Sequence, residues 1–512
     1  MAKLLASVFI TFGIRARSWS QCFGYQELRI ASACRIHNAA GSLRIPTRPA
    51  SVAVSEFQVR RHKFVNRIRK ASPTHIQQHL ICVPGSRLVY MAKDVPYVFR
   101  QNSNFRYLCG ITEPDCLLVL HSMSPSEYRS HVFVPQHPAE EEVWHGKSLT
   151  ENQIHETSGV DFVHALSDLE CFLDKSLKTL HGTSVGLWCD PVARLSRPAK
   201  LDDSQLSVFP ALDDFLLQKS ANFIVLGTPT LYIQECRLVK SLAEVELMRC
   251  SAEISVYALK SAMQRTHSGM SERQLWALLD NECINLGADR LAFPPVCASG
   301  SRAATIHYIK NSEVMEEGTM VLVDTGCEIE GYCSDVSRVW PVDSGTQTDA
   351  QAQLVEIVLW VQQTILKQLF QLGNNYAAYP TLDNLYHRML ELLARQLRQH
   401  DLLLPRTSDH SRDTAIVSKH FCPHHLSHYL GMDIHDCSDV SRSRPLQEGM
   451  TFTIEPGLYI AEDSQFAPLE YRGIGVRIED DIYLGPQGPE VLTKGCPSSL
   501  SDISNLRCEK FD

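Results

Sequence analysis

Apolar and polar residues follow two different periods along this chain. Short apolar runs bounded by turn residues occur at Leu80 to Val83, Leu117 to Leu120, His131 to Val134, Val185 to Trp188 and Phe223 to Val225. Their length and apolar content predict β-strands. Glu56 to Lys70 instead spaces Phe57, Phe64, Val65 and Ile68 along one face among basic residues, which predicts an amphipathic helix. With helical stretches between the strands, residues 53–235 are expected to form an α/β domain.

The pattern changes near residue 238. Ser241 is followed three positions later by Glu244, a capping box that opens a long helix through Val245, Met248, Ile254 and Leu259. Gln351 to Leu372 carries Leu354, Ile357, Val358, Val361, Ile365 and Leu369 on one stripe, with Gly373 as the stop. Leu382 to Gln399 forms a third helix. Strands are expected at Met320 to Val323, Val336 to Val342, Met450 to Ile454, Gly475 to Ile478 and Ile482 to Leu484. Residues 406–418 are polar and irregular and read as a loop. The fold class over 236–505 is therefore α+β, preceded by the α/β N-terminal domain.

Composition narrows the class. Of 512 residues, 44% are hydrophobic and 21% charged, as in globular proteins, and the net charge of −9 excludes a general nucleic-acid footprint. No apolar run reaches the roughly 18 residues that span a bilayer, so no membrane partner is expected. The 17 cysteines form no CxxC pair and read as free thiols rather than a disulfide framework. The first fifty residues stand apart. Lys3, Arg15, Arg17, Arg29, Arg35, Arg44 and Arg48 face a single acid, Glu27, and serine and alanine are frequent. This is the signature of an organelle transit peptide, so residues 1–50 predict mitochondrial targeting, with a cytosolic form if the leader is absent.

Four segments carry candidate chemistry. Asp324 ends an apolar strand, and Asp335 opens the next after a turn at Gly331. His424, His425, His428 and His435 lie within twelve residues, with no HExxH. Glu455 closes another apolar strand ahead of Pro456-Gly457. Arg477, Glu479 and Asp481 alternate and would share one face of a continuous strand. Taken singly, each acid also fits a turn cap or a salt-bridged strand end. Together, four acids and one imidazole suit divalent cations, and oxygen-rich ligation favours manganese, with cobalt and zinc as the other candidates.

The ordered set resembles the pita-bread metallopeptidases, which include methionine aminopeptidase, prolidase and Xaa-Pro aminopeptidase. Several strings resemble the Xaa-Pro aminopeptidase branch: Arg100 to Phe105, Gly110 through Glu113-Pro114-Asp115, Thr305 to Tyr308, His424 to His435, and Arg477 to Asp481. The resemblance implies a C-terminal pita-bread domain and a homodimer. It implies two cations held by Asp324, Asp335, His428, Glu455 and Glu479, with Asp335 and Glu479 bridging. It makes His307, His424 and His435 substrate-binding and catalytic, with Arg477 orienting a ligand carboxylate and Glu455 carrying a proton to the leaving nitrogen. The implied substrates are peptides and protein N-termini with proline second. Prolidase action on Xaa-Pro dipeptides and trimming of imported mitochondrial proteins are the alternatives. Arg106 departs from the family pattern, in which bacterial relatives commonly have tryptophan there, near the far end of the substrate.

Overall fold

The fold comes from a computed structural model, which describes residues 48–509 apart from 125, 139, 179–184, 190–211, 213–223 and 407–408. The expected leader 1–50 lies outside the described residues but for its last three. The described residues fall within one compact unit.

The helix Val54–Ala71 buries Phe57, Phe64, Val65 and Ile68, and with them Arg60 and Arg61. Those two guanidiniums are buried because acceptors receive them: Glu56, the Tyr332 hydroxyl and the Tyr107 carbonyl for Arg60, and backbone carbonyls for Arg61. Arg61 donates to Leu108 O at 2.8 Å and to Ser158 O at 2.9 Å. The helix covers a six-stranded mixed sheet in the order Phe162–Ala165, Tyr128–Val134, Leu117–Ser122, Gln78–Pro84, Val185–Cys189 and Ile224–Gly227. Every strand expected in this region is present, each extended by one to three residues at an end.

The second half opens as its capping box dictates. Ser241 Oγ receives the Glu244 amide, and the Glu244 carboxylate receives the Ser241 amide at 2.8 Å. The helix then runs Leu242–Arg265 and packs against Glu272–Asn285. The helices Asp349–Leu372 and Leu382–Gln399 follow, the first ending at Gly373. Beneath them lie two three-stranded antiparallel sheets. One is Val296–Ser299, Met320–Thr325 and Val336–Pro341; the other is Thr451–Ile454, Asp480–Gly485 and Gly488–Val491. A two-stranded ribbon, Gly457–Ile460 with Ile474–Arg477, joins them at the site. One apolar core runs from Phe64, Ile81 and Leu118 into Val245, Met248 and Val321, so the two halves share buried surface.

Two expectations need correction. Residues 406–418 are not a loop throughout. His410–Ile416 is helical and continues into a wider turn over Val417–Phe421. Asp409 caps it by accepting the amides of Ser411 and Arg412 at 3.0 and 3.2 Å. Asp413 is buried against Arg398, whose Nε lies 2.8 Å away. The polarity that suggested a loop belongs to a cap and an ion pair, and the buried Ile416, Val417 and Phe421 fall at the segment's end. Second, Arg477, Glu479 and Asp481 do not share one strand. The strand Ile474–Arg477 ends in the ribbon, and Asp480–Gly485 begins in a different sheet. The break lets Glu479 turn inward independently of its neighbours.

Candidate metal centre

Asp324 and Asp335 reach the site from adjacent strands. Asp324 lies opposite Ser337 in an antiparallel ladder. Between them the chain makes a small hairpin turning at Gly331, whose φ of +84° a side chain would strain. Arg106 packs on that hairpin, 3.2 Å from Glu330, so the departure from the family pattern is engaged in an ion pair here.

His428 lies beside the strand Thr451–Ile454, where its carbonyl accepts the Thr453 amide at 3.0 Å. Its Nδ1 faces the Tyr429 carbonyl at 3.1 Å, which makes Nδ1 the N–H donor. Nε2 then presents a lone pair 3.5 Å from Asp335 Oδ2, 3.5 Å from Glu455 Oε1 and 3.9 Å from Glu479 Oε1. One ligand atom each of Asp335, His428 and Glu479 lie within 4.8 Å of one another. Asp324 Oδ1, Asp335 Oδ1 and Glu479 Oε1 are buried without a hydrogen-bond partner.

A lone pair facing three carboxylates is repulsive, and so is the carboxylate cluster itself. Burial, and then repulsion from Asp324, pushes the Asp335 carboxyl well above its ordinary range. Burial, and then Asp335 and Glu455, does the same to Glu479. Burial pushes Glu455 up to about 7, against the downward pull of His428 and Arg477. Divalent cations would resolve all of these conflicts at once, because each unpaired oxygen and the imidazole lone pair could then serve as a ligand. The donor set fits such a metal.

A second layer holds the acids in place. Arg477 donates to Asp324 Oδ2 at 2.6 Å, to Ser337 Oγ at 2.8 Å and to the Tyr459 hydroxyl at 2.7 Å. Ser337 Oγ donates onward to Glu479 Oε2 at 2.7 Å. Asp481 accepts the Asp335 amide at 3.0 Å, and Thr453 Oγ1 lies 3.3 Å from Glu455 Oε1. Ser337, Tyr459, Thr453 and Asp481 carry no role in the sequence reading. Ser337 and Asp481 each sit two positions beyond a candidate ligand, and that spacing was the available signal.

The remaining histidines differ in their surroundings. His424 Nδ1 faces its neighbour's carbonyl at 2.8 Å and Nε2 meets the Tyr459 hydroxyl at 3.0 Å, so the protein engages both nitrogens. Burial, then Arg477, lowers its pKa to about 4, which keeps the ring neutral. His435 is exposed, with its ring edge-on to His428 at 4.5 Å between centroids. Burial of part of the ring, then His428 and His307, lowers its pKa to about 4. His307 is exposed on the segment after Gly300–Ala304. His425 is half-buried, stacked on Tyr386 and 3.4 Å from Asp383. The cysteines near the ligands, Cys327, Cys333, Cys422 and Cys437, are buried free thiols.

Buried acids around one imidazole, with unpaired oxygens turned inward, define a metal-dependent hydrolase. The chain matches metallopeptidase family M24 over residues 246–486 and the aminopeptidase P N-terminal domain over 57–185. It is 38% identical over 456 residues to Xaa-Pro aminopeptidase 3 of Mus musculus, covering 88% of this chain and 85% of that one. It is 32% identical over 448 residues to the mitochondrial intermediate cleaving peptidase 55 of Arabidopsis thaliana, covering 88% and 83%. Among solved structures, Escherichia coli aminopeptidase P in its low-pH form superposes with a TM-score of 0.75 at 28% identity, over 90% of this chain and 99% of that one. The chain belongs to the Xaa-Pro aminopeptidases of metallopeptidase family M24. It is a metallo-aminopeptidase with the α/β N-terminal and pita-bread C-terminal arrangement of that family, and it uses divalent metal.

Proposed function

We propose that the enzyme removes the first residue from peptides whose second residue is proline, using two cations, most simply Mn2+, at Asp324, Asp335, His428, Glu455 and Glu479. The observation that carries this reading is the convergence of these five side chains with three carboxylate oxygens unpaired. Similarity to Xaa-Pro aminopeptidases across both halves of the chain supports the proline preference. Divalent cations bound there supply a water acidic enough to attack a peptide carbonyl near neutral pH.

The chain's own residues do the rest. Arg477 and Ser337 hold Asp324 and Glu479 in register. Glu455 carries a proton to the leaving proline nitrogen. His307, His424 and His435 hold the substrate, and neutral His435 offers an N–H to the oxygen that gains charge. For His424 to do so, it must release one of its two present bonds. Division into a leader 1–50, an N-terminal domain 53–235 and a catalytic domain 236–505 belongs to the same reading. So does a homodimer, which the exposed apolar Met91, Tyr97 and Val98 support.

A panel of Xaa-Pro-Xaa tripeptides, Xaa-Pro dipeptides and Xaa-Ala-Xaa tripeptides, run with metal analysis, tests the proposal. Cleavage of dipeptides alone would make the enzyme a prolidase. Equal cleavage of Xaa-Ala-Xaa would remove the proline requirement. A second reading is trimming of imported mitochondrial proteins. Similarity to intermediate cleaving peptidases of Arabidopsis thaliana and Saccharomyces cerevisiae, and the arginine-rich leader, favour it. N-terminal mass spectrometry of mitochondrial proteins with and without the enzyme checks it; unchanged N-termini would sink it.

A further inference from the structure

His435 is held by few contacts of its own side chain. Its ring touches the edge of His428, and among the described residues it makes no hydrogen bond to the protein. Its position is therefore set by the backbone on either side. That backbone carries two acids: Asp433 is tied to Arg100 and Ser103 of the N-terminal domain, and both Asp433 and Asp436 to Arg237 at the start of the catalytic domain.

Asp433 Oδ1 accepts from Ser103 Oγ at 2.6 Å and from Arg100 Nη1 at 3.2 Å, and Oδ2 accepts from Arg237 Nη2 at 2.7 Å. Arg237 also donates to Asp436 and to the Asn104 side chain. Lys240 reaches the other Asp436 oxygen at 3.1 Å. Arg100 adds a bond to the Met432 carbonyl and an ion pair to Glu328 at 2.6 Å. The approach depends on Gly431, since a side chain there would run into the Asp436 carboxylate and the Lys240 stem. Three cations from residues 100–240 thus grip the segment two residues before and one residue after His435.

The two arms of this clamp differ. Arg237, Lys240 and Asp436 are buried, with side chains 1–3% exposed, and such ion pairs hold a fold together. Arg100 and Asp433 are 34% and 38% exposed. An exposed pair contributes little to stability. Arg100 nevertheless holds the Asp433 side chain and the Met432 carbonyl, two and three residues before His435.

We infer that Arg100 and Asp433 are positioning residues that act through His435, so that the N-terminal half sets the turnover of a site to which it gives no ligand. This rests on the proposed role of His435. Asp433→Asn keeps the shape of the side chain but removes the charge that draws Arg100 and Arg237. On an Xaa-Pro-Xaa peptide with cations in excess, it lowers kcat about tenfold, as expected when a catalytic group is displaced by a fraction of an ångström. KM stays within about twofold. Arg100→Gln has the same effect, and the double variant loses no more than either alone. In a His435→Ala background, Asp433→Asn costs less than about twofold, because its means of action is gone. Backbone amides of residues 429–437 exchange faster in both single variants, while Tm is little changed in Arg100→Gln, which leaves the buried Arg237 paired with Asp433 and Asp436. An equal loss from Asp433→Asn with and without His435 would overturn the inference and leave the role of His435 standing. An unchanged kcat in His435→Ala alone would overturn both.

Discussion

Arg477→Lys isolates what the planar guanidinium contributes to the metal centre. Arg477 is buried and makes three bonds, at 2.6 Å to Asp324, 2.8 Å to Ser337 and 2.7 Å to Tyr459. A lysine keeps the charge but presents a single point that cannot fork to three partners. Two bonds to a charged group are lost, at about 1.5–3 kcal/mol each. The partners have fallback bonds: Ser337 still donates to Glu479 at 2.7 Å, and Tyr459 still meets His424 at 3.0 Å. The net cost therefore sits near the lower bound, about 3 kcal/mol, which is on the order of a hundredfold in kcat/KM if it falls on the transition state. The assay is cleavage of an Xaa-Pro-Xaa peptide across a titration of Mn2+. If Arg477 serves chiefly to orient Asp324 as a ligand, excess Mn2+ recovers part of the loss. A variant within threefold of the parent, with the same cation requirement, would refute the reasoning. Arg477→Met is the harsher control, because it strands the Asp324 carboxylate, and it should destabilise the fold by about 3–5 kcal/mol.

Three other outcomes follow from the same physics. Glu479→Gln removes one of the mutually repelling carboxylates, so the metal-free protein should gain Tm while losing activity and the rise in Tm on adding Mn2+; a lower metal-free Tm with the rise intact would contradict the site. Glu272→Gln removes the charge and one of the two acceptor oxygens from a fully buried carboxylate that receives Ser299 N and Oγ, Arg302, Tyr308 and Glu313 N, leaving at least two of these donors facing an amide NH2, and should cost about 3 kcal/mol in urea unfolding; a change below about 1 kcal/mol would show that the hub is dispensable. In the N-terminal sheet, burial and then His164 and His121 lower the pKa of His131 to about 4, against 6.5 unfolded. Its contribution to stability is complete above pH 6.5 and is lost as the pH falls from 6.5 through 4. His131→Phe should therefore flatten the Tm profile only in that window, by at most about one proton's slope, ~1.4 kcal/mol per pH unit, and an unchanged profile would refute the assignment.

Local pattern reached far in this chain. The capping box at Ser241, the stripe from Leu354 to Leu369 and the stop at Gly373 are encoded within a few residues, so helix bounds could be read closely. Acids closing apolar strands at Asp324 and Glu455 were legible for the same reason, since a strand's end and its charge are both sequence properties. The segment 406–418 was misread because its helix is held by a partner, Arg398, from another helix. The alternation of Arg477, Glu479 and Asp481 was legible, but the change of sheet between them was not, because strand pairing is a choice among distant partners.

By itself, then, the sequence determined most of the elements, the acid and imidazole side chains of the candidate site, and the family resemblance. Only the tertiary structure decided which lone pair of His428 faces the acids, which carboxylate oxygens are left unpaired, and that Arg477 reaches Asp324 through a gap of 153 positions. It also decided that Arg100 and Arg237 grip the segment carrying His435. The physical reason is common to all four. Hydrogen-bond direction and desolvation depend on what surrounds an atom in space, and periodicity along the chain carries no record of that.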